Sequence, residues 1–142
     1  MTKPKLRSAS FAVVLALALC APLLAADKDL TKTPQVKAHE AQLKALNAGD
    51  FEAYKKTVSK ANLEQMDKEL KESGMDAKKA MEFLKEMAPE EIKYTELKVE
   101  GKKATLKATA KSFDQVTYGT IQLDEEDGKW KVGEQSWNSK KE

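Results

Sequence analysis

Apolar and polar residues follow two different periods along this chain, helical up to about residue 88 and strand-like from about residue 92. Thr33-Pro34 supplies a capping side chain followed by proline at the first helical position. From there Val36, Leu43 and Leu46 form an apolar seam with His39 on the same stripe, and Gly49 closes the helix. Asp50 caps a second helix carrying Phe51, Tyr54 and Val58. A third, from about Ala61, carries Leu63, Met66 and Leu70 and ends at Ser73-Gly74. Asp76 opens a fourth, with Ala77, Ala80, Met81, Leu84, Met87 and Ala88 on one face and Pro89 as its stop.

The strand-like part begins with Tyr94 to Val99 and turns at Glu100-Gly101. Two parities compete in this strand, Tyr94-Glu96-Lys98 against Leu97-Val99. The second wins on apolarity and leaves Glu96 outward. In the next strand Ala104, Leu106, Ala108 and Ala110 point one way, while Thr105, Lys107, Thr109 and Lys111 point the other. Val116 to Leu123 changes parity at Gly119, which predicts a bulge there. Asp114 sits in a turn, Asp124 to Gly128 forms another, and the last strand runs from Trp130 to Trp137. Helices followed by consecutive antiparallel strands predict an α+β fold. The N-terminal helices (about 34–88) pack on a curved antiparallel sheet of about four strands (about 92–137).

The first 26 residues read differently. Lys3, Lys5 and Arg7 precede the apolar run Phe11 to Leu19, and Leu23-Leu24-Ala25-Ala26 leads into charged Asp27-Lys28-Asp29. This is the layout of a secretory signal peptide, too short and too interrupted by Pro22 for the ~20 apolar residues of a membrane span. The expectation is a signal peptide over 1–26 and a single domain over 27–142, exported to the periplasm with no membrane span in its mature form. The alternative is a lipid anchor on Cys20, since Leu17-Ala18-Leu19-Cys20 resembles a lipobox; Leu19 stands where that motif wants a small residue. Cleavage after Ala26 leaves no cysteine and hence no disulfide.

Charge and residue inventory narrow the function. Three of the 25 basic residues precede Asp27, leaving 22 against 23 acidic ones, a net charge of −1. No arginine follows Arg7. A near-neutral domain without arginine forks or a basic stripe is not a nucleic-acid binder. With 41% hydrophobic and 34% charged residues, the chain is neither a disordered polymer nor a multi-span membrane protein.

Three stretches taken together resemble the nuclear-transport-factor-2-like superfamily, whose cystatin-like cone fold wraps a curved sheet round helices. Leu46-Asn47-Ala48-Gly49-Asp50-Phe51-Glu52-Ala53-Tyr54 is similar to its helix–Gly-Asp–helix entry, Val99 to Leu106 to its central hairpin, and Asp127-Gly128-Lys129-Trp130-Lys131-Val132 to its closing hairpin. Small exported bacterial members look closest. The resemblance implies a conical pocket between sheet and helices, where steroid isomerases, scytalone dehydratases and polyketide cyclases place Asp, His or Tyr. Other members only bind ligands or proteins, and fold alone does not choose.

His39 is the candidate catalytic residue, a general acid or base by type, yet it has no partner in the sequence to orient it and reads equally as a packed boundary histidine. Tyr54, Tyr118 and Trp130 are the candidate ligand-binding residues, being apolar bodies with one polar atom suited to a pocket mouth. Asp50 is accounted for as a helix cap, and Asp124 to Asp127 lacks the ligand spacing of a calcium loop. Met66, Met81 and Met87 fall at core spacing and do not make a copper site with Met75. One histidine without cysteine makes no zinc site unless several carboxylates join it. No metal and no cofactor is expected. The inner alanines Ala104, Ala108 and Ala110 leave room either for close helix packing or for a hollow cone.

The resulting expectation is a non-enzymatic exported protein that binds a small apolar ligand or a protein partner through a cone-shaped pocket or a sheet face, with a homodimer compatible. The alternatives are a small isomerase- or dehydratase-like enzyme using His39 with Tyr54 or Tyr118, or an inhibitor- or immunity-type partner. Export has its own test. Intact-mass measurement of the processed protein should match Asp27–Glu142; a chain beginning at acylated Cys20, or an unprocessed one, would overturn the assignment.

Overall fold

Helix boundaries follow side chains that satisfy the first free backbone N–H groups. Thr33 Oγ1 accepts from Val36 N at 3.3 Å to start α1 (Pro34–Ala48), after a short 3-10 turn at Leu30–Lys32. Asp50 Oδ1 accepts from Ala53 N at 2.9 Å to start α2 (Phe51–Thr57). Asp76 Oδ1 accepts from Lys79 N at 2.8 Å to start α4 (Ala77–Glu86). Each such cap stabilises by about 1 kcal/mol. Ser59 makes no side-chain cap for α3 (Lys60–Ser73); Glu126 reaches across from the sheet instead, its carboxylate accepting from Lys60 N at 2.9 Å. Gly49, at φ 68°, provides the left-handed residue that ends α1.

The chain is described here by a computed structural model over residues 29–140. The expected signal segment over 1–26 and Cys20 lie outside the described residues. The four helices precede strands β1 (Glu90–Glu100), β2 (Lys103–Ser112), β3 (Gln115–Glu126) and β4 (Lys129–Asn138), which pair antiparallel in the order β1-β2-β3-β4. This is the expected α+β fold, with helices packed on one face of the sheet. Among the described residues, no helix is long and apolar enough to cross a membrane.

α1 joins two cores. Its N-terminal half places Val36 among Ala104, Leu106, Ala108, Ile121, Leu123 and Val132 on the inner face of the sheet. Its C-terminal half places Ala45 and Leu46 with Tyr54 of α2, Met81 of α4 and Val58, the residue that follows α2. Ala104 and Ala108 are buried with Val36, so the small residues serve close helix packing.

Several local expectations are corrected. α4 ends at Glu86 rather than Ala88, because the residue before Pro89 is pushed out of helical geometry. The last turn is only Asp127-Gly128, at φ 52° and 75°, since Asp124, Glu125 and Glu126 continue β3 and pair with Lys131, Trp130 and Lys129. No bulge forms at Gly119. The β2–β3 register is unbroken from Lys103↔Asp124 to Ser112↔Gln115, and Thr117, Gly119, Ile121 and Leu123 all face inward. Val116 and Tyr118 therefore point outward. Gly119 is needed for another reason: a Cβ there would lie 2.4 Å from Cζ3 of Trp137, whose ring covers it.

The bulges lie in the edge strands. In β1, Tyr94 pairs with Ala108 and Glu96 with Lys107, so Thr95 is extra and the strand changes parity. Tyr94 and Leu97, three apart, thus both face inward, while Glu96 points outward as expected and Val99 is 49% exposed at the strand end. In β4, Val132 pairs with Leu123 and Gln135 with Ile121, so Gly133-Glu134 opposes Gln122 alone. Val132, Gln135 and Trp137 consequently share the inner side.

Gly119→Ala should destabilise by about 1–3 kcal/mol, the range for forcing extra volume into a packed site. Denaturant unfolding reads this directly. Pairing it with Trp137→Leu should recover part of the loss; strict additivity of the two changes would show that they are not in contact.

Candidate functional site

His39 lies on the inward stripe of α1, one turn beyond Val36, and is 0% exposed. Its imidazole is held from two sides of the sheet. Nδ1 is 2.8 Å from the hydroxyl of Tyr94 on β1, and Nε2 is 3.2 Å from Oε1 of Gln135 on β4. Gln135 in turn donates through Nε2 to Oε1 of Gln42, one turn along α1, at 2.6 Å. Because a glutamine Oε1 only accepts, His39 Nε2 carries the proton and Nδ1 accepts from the Tyr94 hydroxyl. The two rings meet edge to face, with centroids 5.8 Å apart. Among the described residues, no buried side-chain nitrogen or oxygen lacks a partner.

The electrostatics follow from burial. Removing the ring from water penalises its charged form and lowers the His39 pKa from 6.5 to about 4, with the Gln135 hydrogen bond opposing weakly. Burial, with the negative charge of Glu40 added, holds the Tyr94 hydroxyl well above the usual phenol range. At neutral pH both groups are uncharged, one donating to the other. The arrangement is a satisfied polar chain across an apolar core, and a neutral imidazole with both nitrogens engaged has no free position for proton transfer to a ligand.

The proposed ligand-binding residues do not converge. Tyr54 is buried in the helical core, its pKa raised by burial. Tyr118 faces outward from β3, opposite Thr109 and Asn138. Trp130 packs at the edge of the sheet core, next to the Asp127-Gly128 turn. Tyr94, Gln42 and Gln135 are the residues that sequence reading missed. Gln42 was accessible, since it falls on the Val36–His39–Leu46 stripe. Tyr94 and Gln135 were hidden by the bulges beside them.

The space beside this network opens to solvent as a groove of about 510 Å³. Glu40 and Leu43 of α1 form one wall, and Pro89, Glu90, Ile92 and Tyr94 the other. Tyr94 is common to both features, lining the groove while its hydroxyl bonds His39. The groove takes no residue from β2, β3 or β4, so it is not a space inside the curve of the sheet. Among the described residues, no cluster of three His, Cys, Asp or Glu side chains is placed to hold a metal ion.

Residues 37–141, which include the whole polar chain, both groove walls and all four strands, match the family described as the C-terminal domain of the anti-sigma-I factor RsgI9. The chain belongs to that family. No curated protein and no solved structure matches the chain.

The buried histidine predicts a pH dependence of stability. Its pKa is depressed in the folded state, so between pH 6.5 and about 4 the unfolded chain binds a proton that the folded one does not. This contribution is complete above pH 6.5 and is lost on acidification, by up to about 3 kcal/mol. Urea midpoints at pH 4.5 and 7 should differ more for the wild type than for His39→Gln. Equal differences would show His39 titrating as a solvated group.

Proposed function

We propose that this protein is an exported, non-enzymatic interaction domain of nuclear-transport-factor-2-like type that acts by binding a protein partner on its surface. The observation that carries the reading is the complete enclosure of His39, with both ring nitrogens bonded to Tyr94 and Gln135. An isomerase- or dehydratase-like enzyme needs its acid or base at a substrate. The sole histidine of the chain is instead committed to holding α1 on the sheet.

Two further observations support a protein partner. The family takes its description from an anti-sigma factor, a class of regulator that works by holding another protein, so a protein partner is what the description suggests. An open groove lies between a helix and an edge strand, a shape suited to a segment of chain. Export rests on the basic start, apolar run and small-residue exit over residues 1–26.

Photo-crosslinking amino acids placed singly at Leu43 in the groove, Thr105 on the outer sheet face and Glu64 on α3 test the reading in the native host. The expected result is a discrete adduct with one protein from one of these faces. Absence of any adduct, together with a small molecule released from the purified protein on denaturation, would replace it by the ligand-binding reading.

A further inference from the structure

The two edges of the sheet are treated differently. At β4, Val58 forms a parallel bridge with Val132, Ser59 N donates to Val132 O at 2.8 Å, and Asn62 Nδ2 donates to Gly133 O at 2.9 Å. The chain thus pins its own α2–α3 connection along the middle of that edge. At β1 the edge borders the groove, whose lining takes Ile92 and Tyr94 from that strand, and the 3-10 turn Leu30–Lys32 also packs against β1.

The chemistry of this groove is specific. Its apolar floor is made by Leu43, Ile92 and Tyr94. Its rim is acidic: neither Glu40 nor Glu90 has an ion-pair partner among the described residues, whereas Glu91 is paired with Lys111 at 2.8 Å. The one lysine lining the groove, Lys85, donates to the backbone carbonyl of Asn47 at 3.1 Å; its charge stays in the groove but is paired with neither carboxylate, so the rim keeps a net negative charge. The unbalanced negative charge also reaches the floor, since Glu40 contributes to the raised Tyr94 pKa. A slot that sets apolar side chains between two carboxylates without ion-pair partners is complementary to a chain bearing cations on either side of an apolar side chain.

We infer that the groove between α1 and the β1 edge is the docking surface for the protein partner, and that it takes an extended segment carrying lysine or arginine around an apolar residue. The inference rests on the protein-binding reading above and names its surface and the chemistry it selects. The apolar side chain lies on Leu43, Ile92 and Tyr94, and the cations reach Glu40 and Glu90. The irregular start of β1, where Glu91 has a φ of 50°, limits backbone pairing there, so side-chain contacts supply the recognition.

The test uses a capped Lys-Val-Lys-Val-Lys peptide titrated into isotope-labelled protein and read by amide NMR shifts. Shifts should concentrate at Leu43, Ile92 and Tyr94, leave Thr105 and Thr120 on the outer face unmoved, and shrink with added salt. Affinity should fall about tenfold or more in Glu40→Lys/Glu90→Lys, the effect of replacing two exposed attractions by repulsions, and stay unchanged in Glu64→Lys. A capped Glu-Val-Glu-Val-Glu peptide should not bind. Shifts spread over the outer face, or unchanged affinity in the double variant, would overturn the assignment. If a protein adduct forms from Thr105 or Glu64 while the peptide leaves the groove unmoved, protein binding stands and this surface is wrong.

Discussion

An imidazole removed from water has to find partners for both nitrogens inside the protein, and this requirement on His39 governs how the sheet is shaped. Leaving either nitrogen bare would cost roughly 1–3 kcal/mol. The partners come from opposite edge strands, Tyr94 from β1 and Gln135 from β4, so one side chain of α1 is tied to both borders of the sheet. Hydrophobic contact alone would hold α1 on the sheet without fixing its rotation or its height. The Tyr94–His39–Gln135–Gln42 chain fixes both, because each hydrogen bond is satisfied in one placement of the helix.

The strands accommodate that chain by breaking their own alternation. A strict two-residue period through Val132 would bring Glu134 to the inner face; the extra residue in β4 brings Gln135 there instead. In β1, the irregularity at Thr95 keeps Tyr94 inward while returning Leu97 to the core. Small residues complete the fit. Ala104 and Ala108 admit α1, and Gly119 admits the ring of Trp137 from the neighbouring strand. Apolar packing and polar satisfaction are therefore solved together on one surface.

Features set by neighbouring residues were legible in the sequence. Thr33, Asp50 and Asp76 cap helices through N–H groups three residues away, and a period of two in Ala104 to Ala110 needs no tertiary knowledge. The α+β order followed from these. What failed depends on pairs distant in the chain. A bulge is a mismatch between two strands, so β1 read alone seemed to demand a choice between Tyr94 and Leu97 when the fold takes both. The parity change at Gly119 predicts a bulge because the glycine's real reason, Trp137, lies on another strand. His39 falls on the inward stripe that the sequence predicts, but its partners lie 55 and 96 residues away, and no local pattern points to them. Tyr118 and Trp130 were grouped by chemistry with Tyr54, and the sheet then separated them.

The pinned middle of β4 has a consequence for assembly. Growth of a sheet from molecule to molecule needs two open borders, one to receive and one to offer, and here Val58 and Asn62 occupy the second. Among the described residues, joining of copies through strand edges would therefore fall to β1 on both sides, a self-matched joint that offers no further border to a third copy. The pinned middle of β4 thus withholds one of the two borders that a fibre of such sheets would need.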